Sequence, residues 1–178
     1  MVVRTLRRPF ASALREVRAF HELLVVVDTE DALLVRDDDG LTWRRAKDKP
    51  TLSVSDADCG AWEKSCIYQP WLLEHGNKFY DFYNAAQGGV EQTGLAFSTD
   101  LLNWKRYSGN PVVRVRPKGY DERFASDPKV FRDGDHWTMF YFGVGRGGAH
   151  IMIAFSRDLV HWTAHPEPLY KAGGNPSG

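Results

Sequence analysis

SDPKVFRDGDHWTMFYFG, residues 126–143, repeats YQPWLLEHGNKFYDFYNA, residues 68–85, without a gap at an offset of 58. Pro70 falls under Pro128, Gly76 under Gly134, Phe79 under Trp137, and Phe82-Tyr83 under Phe140-Tyr141. The register continues through AFSTDLLNW (96–104) over AFSRDLVHW (154–162). A third copy precedes these at an offset of 61, where VRDDDGLTWRRAKDKPTLSV (35–54) places Trp43 under Trp104 and Pro50 under Pro111. Self-similarity at such a period marks an architecture built from one supersecondary unit used several times.

Each copy reads as short strands. WLLEHGNKFYDFYNA is an apolar strand, a turn at His75-Gly76-Asn77, and a strand rich in aromatics. The next strand ends in Ser98-x-Asp100 or Ser156-x-Asp158, whose side chains satisfy turn donors. Trp104 and Trp162 then fold back over the strands, each burying a ring worth about 2–3 kcal/mol. Recurring in both copies, these residues are structural. VVRV (112–115), after Asn110-Pro111, reads as a short edge strand.

Four strands per repeat describe a β-propeller blade, so the expectation is an all-β chain of about three blades. Residues 1–54 form a degenerate or partial first blade, 55–115 the second and 116–178 the third, all in one domain. LRRPFASALREVRAFHELL (6–24) lacks a strand pattern and reads as a short helix. Closed propellers have roughly four to eight blades, so a three-blade arc is expected to be incomplete, or to self-associate to cover its open edges.

Composition narrows the partners. Lys plus Arg and Asp plus Glu are 23 each, giving formal neutrality. Neutrality argues against nucleic acid and anionic membranes, which select a basic surplus. The longest apolar stretch, 23–27, is far short of a membrane span. No N-terminal apolar run has the length of a signal peptide, so a cytoplasmic location is expected if the true start is present. Cys59 and Cys66 come without a His-Cys cluster, so neither zinc nor another cofactor is expected; their spacing permits a disulfide that nothing else selects. Aromatics at 13% suit an all-β core or a sugar-binding surface equally.

Cys59-Gly60-Ala61-Trp62, the strand pair after Gln69-Pro70, AFSTDLLNW, Asn110-Pro111-Val112, FASDPKVF (124–131) and AFSRDLVHW occur in one order. In that order the chain resembles, over about residues 55–170, the five-bladed propeller glycoside hydrolases of families 32, 43, 62 and 68. The resemblance implies three carboxylates on inner strands facing a central funnel. An early Asp serves as nucleophile or base, a second Asp before Pro positions sugar hydroxyls and raises the acid's pKa, and a later Glu is the acid. Asp127 maps onto the second role. A carboxylate beside another disfavours a second negative charge, and it can accept hydrogen bonds that hold a sugar ring in place.

The repeat supports this assignment. Asp before Pro is an ordinary turn former, but the preceding copy carries Gln69 in the same slot. Pro128 is expected to hold Asp127 in an extended conformation at the strand's start. Trp62, Tyr68, Gln69, Asn84, Arg123 and Ser126 are candidate sugar-binding neighbours, the aromatics reading as core residues equally well. Arg146 and His150, in GVGRGGAH, read as part of a hairpin turn and not a phosphate loop.

Three departures bear on activity. Family 32 carries Arg where Ser126 stands, the nucleophile slot holds Arg8, and the acid would follow Gly178. The expectation is a glycosidase-type propeller for arabinosides, xylosides or fructosides whose 178 residues alone are inactive. The rival readings are a non-catalytic carbohydrate-binding or interaction module and a sialidase-like propeller. The latter rests on Asp38-x-Gly40-x-Thr42-Trp43, which resembles an Asp box with Arg36 replacing Ser.

Overall fold

The computed structural model describes residues 47–171 in full and, before them, the backbone of four strands. These are β1 (Val3–Leu6), β2 (Leu23–Val27), β3 (Leu33–Arg36) and β4 (Trp43–Arg45), an antiparallel sheet in sequence order. The ends of the segment read as a helix, Leu6 and Leu23-Leu24, are therefore strand. Residues 7–22, Arg8 among them, the Asp-box positions 38–42 and the final GGNPSG lie outside the described residues.

Nine further strands follow a short 3-10 turn at Ala61–Glu63. β5 (Cys66–His75), β6 (Lys78–Gln87), β7 (Val90–Ser98) and β8 (Lys105–Arg106) form one antiparallel unit. β9 (Phe124–Asp133), β10 (His136–Gly145), β11 (Gly148–Ser156) and β12 (Thr163–Ala164) form the next, and β13 (Tyr170–Lys171) pairs with β11. The β5–β6 turn is Gly76-Asn77 with both residues at positive φ, 58° and 60°, the backbone that matches strand twist in a two-residue hairpin. Arg146 and Gly147 form the β10–β11 turn, but His150 sits within β11 and is buried.

VVRV is not an edge strand; only Val113 bridges, to Thr93. The neighbouring edge of β7 is already taken, because Glu91 and Gln92 pair in parallel with Phe124 and Ala125 of β9. That parallel contact joins the two units, and Thr93 Oγ1 donates to Ala125 O at 2.8 Å beside it.

The units pack face to face. Leu73, Phe82 and Leu95 of the first meet Val130, Met139, Tyr141 and Met152 of the second in one cluster. Each fully buried side chain there contributes about 1.5–3 kcal/mol. Trp71 Nε1 crosses the same boundary to donate to Val130 O at 2.8 Å. The Ser-x-Asp-Trp turns close as the sequence reads. Ser98 and Ser156 accept from the turn amides, and Trp104 and Trp162 donate to Leu101 O and Leu159 O at 2.8 and 3.0 Å. The result is an all-β arc of propeller blades.

Candidate active site on paired strand bulges

β5 and β9 carry the same irregularity at the same repeat slot. Between Tyr68 and Trp71, the pair Gln69-Pro70 opposes only Tyr83; between Ser126 and Lys129, the pair Asp127-Pro128 opposes only Tyr141. Two residues against one make a β-bulge, which re-aims the side chain it carries. Gln69 and Asp127 take φ of 50° and 54°. Asp127 is thus left-handed and not extended, a correction to the sequence expectation. Proline keeps its predecessor out of the right-handed helical region but does not decide between extended and left-handed backbone; the bulge does.

Asn84 of β6 ties the bulges together. Its Nδ2 donates to Asp127 Oδ1 at 2.8 Å and to Gln69 Oε1 at 3.2 Å, while its Oδ1 accepts the Asp127 N–H at 2.6 Å. Asn84 is wholly buried and Asp127 half-buried. Among the described residues no hydrogen bond is made to Asp127 Oδ2. Among the described residues, one carboxylate oxygen is therefore pinned and the other is not.

Tyr68 pairs with Asn84 in the β5–β6 register. Burial pushes its phenol pKa up, and its hydrogen bond to Glu91 and the charges of Glu91, Cys66 and Asp127 push the same way, so it remains a neutral hydroxyl. Lys129 lies with Nζ 5.3 Å from the Trp71 ring centre. Burial lowers its pKa, and the Asp127 charge opposes that shift. The sequence reading did not pick out Glu91, Lys129 or Trp71. A signal was present, since Trp71 shares a repeat slot with Lys129 and Glu91 shares one with Ala149, slots where the copies differ in kind.

The remaining candidates sit differently. Trp62 stacks on Tyr83, centroids 6.1 Å apart, and packs against the cluster of Leu52, Ile67, Ala85 and Ala96, a structural place. Ser126 is wholly buried, and among the described residues its Oγ has no hydrogen-bond partner. Arg123 is exposed immediately before β9, its guanidinium 5.5 Å from the Phe124 ring centre. Cys59 and Cys66 are both free thiols, the first buried and the second exposed. Among the described residues no cluster of His, Cys, Asp and Glu suits a metal ion, and no helix is long and apolar enough to cross a membrane. A surface cavity of about 520 Å³, lined by residues including Lys47, Asp58 and Trp104, includes none of the residues around Asp127.

Comparison with known proteins identifies the fold's relatives. Residues 73–175 match the family model of the glycosyl hydrolases family 32 N-terminal domain. The chain is 26% identical over 139 residues to the β-1,2-mannobiose phosphorylase of Thermoanaerobacter sp. (strain X514), covering 68% of this chain and 44% of that protein. It is 38% identical over 96 residues to a levanase of Bacillus sp. (strain L7), covering 48% of this chain and 10% of that enzyme. A solved glycoside hydrolase superposes with a TM-score of 0.63 at 25% identity, over 84% of this chain and 45% of its own. The chain thus spans less than half the length of these relatives. With the family match extending over more than half of its residues, this chain belongs to the family 32 glycosyl hydrolases through their N-terminal propeller domain.

Proposed function

We propose that the bulged ends of β5 and β9 form a sugar-binding floor in which Asp127 accepts hydrogen bonds from vicinal hydroxyls. The observation that carries this reading is the division of labour on one carboxylate. Oδ1 is held by Asn84 at 2.8 Å, and among the described residues Oδ2 accepts no hydrogen bond, which supports its use by a ligand. The Gln69 amide and the Lys129 ammonium add donors, the Tyr68 hydroxyl, its hydrogen bond donated to Glu91, adds an acceptor, and Trp71 adds an aromatic face. The substrate class is an oligosaccharide: an arabinoside, xyloside or fructoside, with mannosides added by the phosphorylase relative.

Hydrolysis needs a base or nucleophile and an acid flanking the bond. Among the described residues only Asp127 places a carboxylate on a strand bulge. The described residues are therefore proposed to bind sugar, with turnover requiring two further carboxylates beside Asp127. Calorimetry with arabino-, xylo-, fructo- and manno-oligosaccharides tests this. Binding to one class, weakened at least tenfold by Asp127→Asn, is expected; binding indifferent to Asp127→Asn, or no binding to any class, overturns it.

The same proposal includes an associating face. Phe131, Ile151 and Phe155 are 38, 40 and 39% exposed, whereas Leu73, in the repeat slot of Phe131, is 5% exposed because the following unit covers it. The β9–β11 face is thus shaped to receive another unit of the same kind, from a longer chain or a second copy.

A further inference from the structure

The repeat extends further back than its apolar strands. Tyr83 and Tyr141, each opposite one bulge, donate their hydroxyls to Glu63 Oε2 at 3.0 Å and Asp121 Oδ2 at 2.8 Å. Glu63 and Asp121 are themselves related by the offset of 58, each six residues ahead of its bulge residue, Gln69 or Asp127, in a segment where little else repeats. Both carboxylates are buried, 1% and 0% exposed. Each meets an arginine that the repeat does not preserve: Arg106 Nε at 3.2 Å from Glu63, and Arg116 Nε at 2.9 and 3.0 Å from the two Asp121 oxygens. The arginines occupy different slots, yet each neutralises the carboxylate that stands at the shared repeat slot. A buried charge is kept only when it is paired and hydrogen-bonded, so its recurrence behind each bulge marks a common task.

We propose that Asp121 is a positioning residue: through the Tyr141 hydroxyl, and neutralised by Arg116, it fixes the strand opposite the Asp127-Pro128 bulge and thereby sets the direction of the Asp127 carboxylate. The geometry explains why a left-handed aspartate persists before proline. The single residue facing the bulge cannot slide along β10, because its phenol is anchored at its far end to a carboxylate outside the strand pair. The 2.6 Å bond from the Asp127 N–H to Asn84 then selects one side-chain orientation from the bulged backbone. Burial, reinforced by the Asp121 charge, pushes the Tyr141 pKa up, so the phenol stays a donor across the neutral range.

The proposal rests on Asp127 being the sugar-binding carboxylate, and its test separates the two. Amide chemical shifts of the 178-residue chain report the bulge without any sugar. Tyr141→Phe is expected to shift the Asp127 backbone amide and the Asn84 side-chain amide, and to weaken oligosaccharide binding about tenfold, near the effect of one misaligned hydrogen bond. Tyr83→Phe is expected to move the Gln69 amide more than that of Asp127. Should Tyr141→Phe fail to fold, Asp121→Ala and Asp121→Asn decide: alanine shifts the Asp127 amide, and asparagine, which still accepts from the phenol, restores it. A folded Tyr141→Phe with an unmoved Asp127 amide overturns the proposal. So does equal disturbance by Asp121→Asn and Asp121→Ala, or Tyr83→Phe moving Asp127 as far as Tyr141→Phe. If wild type binds no sugar while the amide shifts appear, positioning stands and the sugar-binding reading falls.

Discussion

Replacing Asn84 removes the one side chain that, among the described residues, hydrogen-bonds both bulge residues. Asn84→Ala deletes a bond to the Asp127 carboxylate, worth about 1.5–3 kcal/mol for a charged partner, and a bond to its amide, worth about 1 kcal/mol. The bond to the exposed Gln69 adds little. A loss of roughly 2.5–4 kcal/mol is expected, a large part of the ~5–15 kcal/mol typical of a domain. Urea titration reads it as a lower midpoint at unchanged slope. Asn84→Asp is sharper still. It puts a second carboxylate where Nδ2 lies 2.8 Å from Asp127 Oδ1. Two such groups cannot both ionise without repulsion, so one pKa in the folded state rises. A raised folded pKa gives stability at low pH that is lost as pH climbs, so this variant should recover toward wild type as pH falls from 7 to 5. A loss below about 1 kcal/mol in Asn84→Ala, or an Asn84→Asp deficit independent of pH, would refute the clamp.

Other perturbations test the supports around it. Arg106→Met leaves the buried Glu63 without its cation and should cost about 3–5 kcal/mol in urea titration, while Asp56→Ala, removing only a half-exposed partner, should cost under about 1 kcal/mol. Gly94→Ala should destabilise by about 1–3 kcal/mol, because a Cβ there would land on the Tyr83 ring that lies against it. Burial disfavours the Asp158 carboxylate, but the bonds from His161, Val160 and Ser156 prevail and hold its pKa below the usual range. The stability it adds is present above the ordinary Asp value of about 3.9 and lost as pH falls through the lower folded value. Thermal melts below about pH 4 should therefore fall less steeply in Asp158→Asn than in wild type.

Legibility in the sequence followed the repeat. Pro70 and Pro128, Tyr83 and Tyr141, and the Ser-x-Asp-Trp turns recur at one spacing because every blade must solve the same packing problem. From them the all-β class, the hairpin at Gly76-Asn77 and the role of the tryptophans could be read directly. Asp127 was legible for the opposite reason: its slot differs from that of Gln69 where the surroundings repeat. The short outer strands and the failure of VVRV to pair were not legible, since β7 offers its edge to β9 only once both units are folded.

The amino-acid order alone therefore determined the repeating strands and singled out one aspartate, because periodic apolar residues and turn formers act within a few positions of themselves. Only the tertiary structure decided that Asp127 is left-handed, that Asn84 grips it from 43 residues away, and that Asp121 stands behind it through Tyr141. Those contacts join strands through pairing and burial, and no local preference encodes where a distant side chain will arrive.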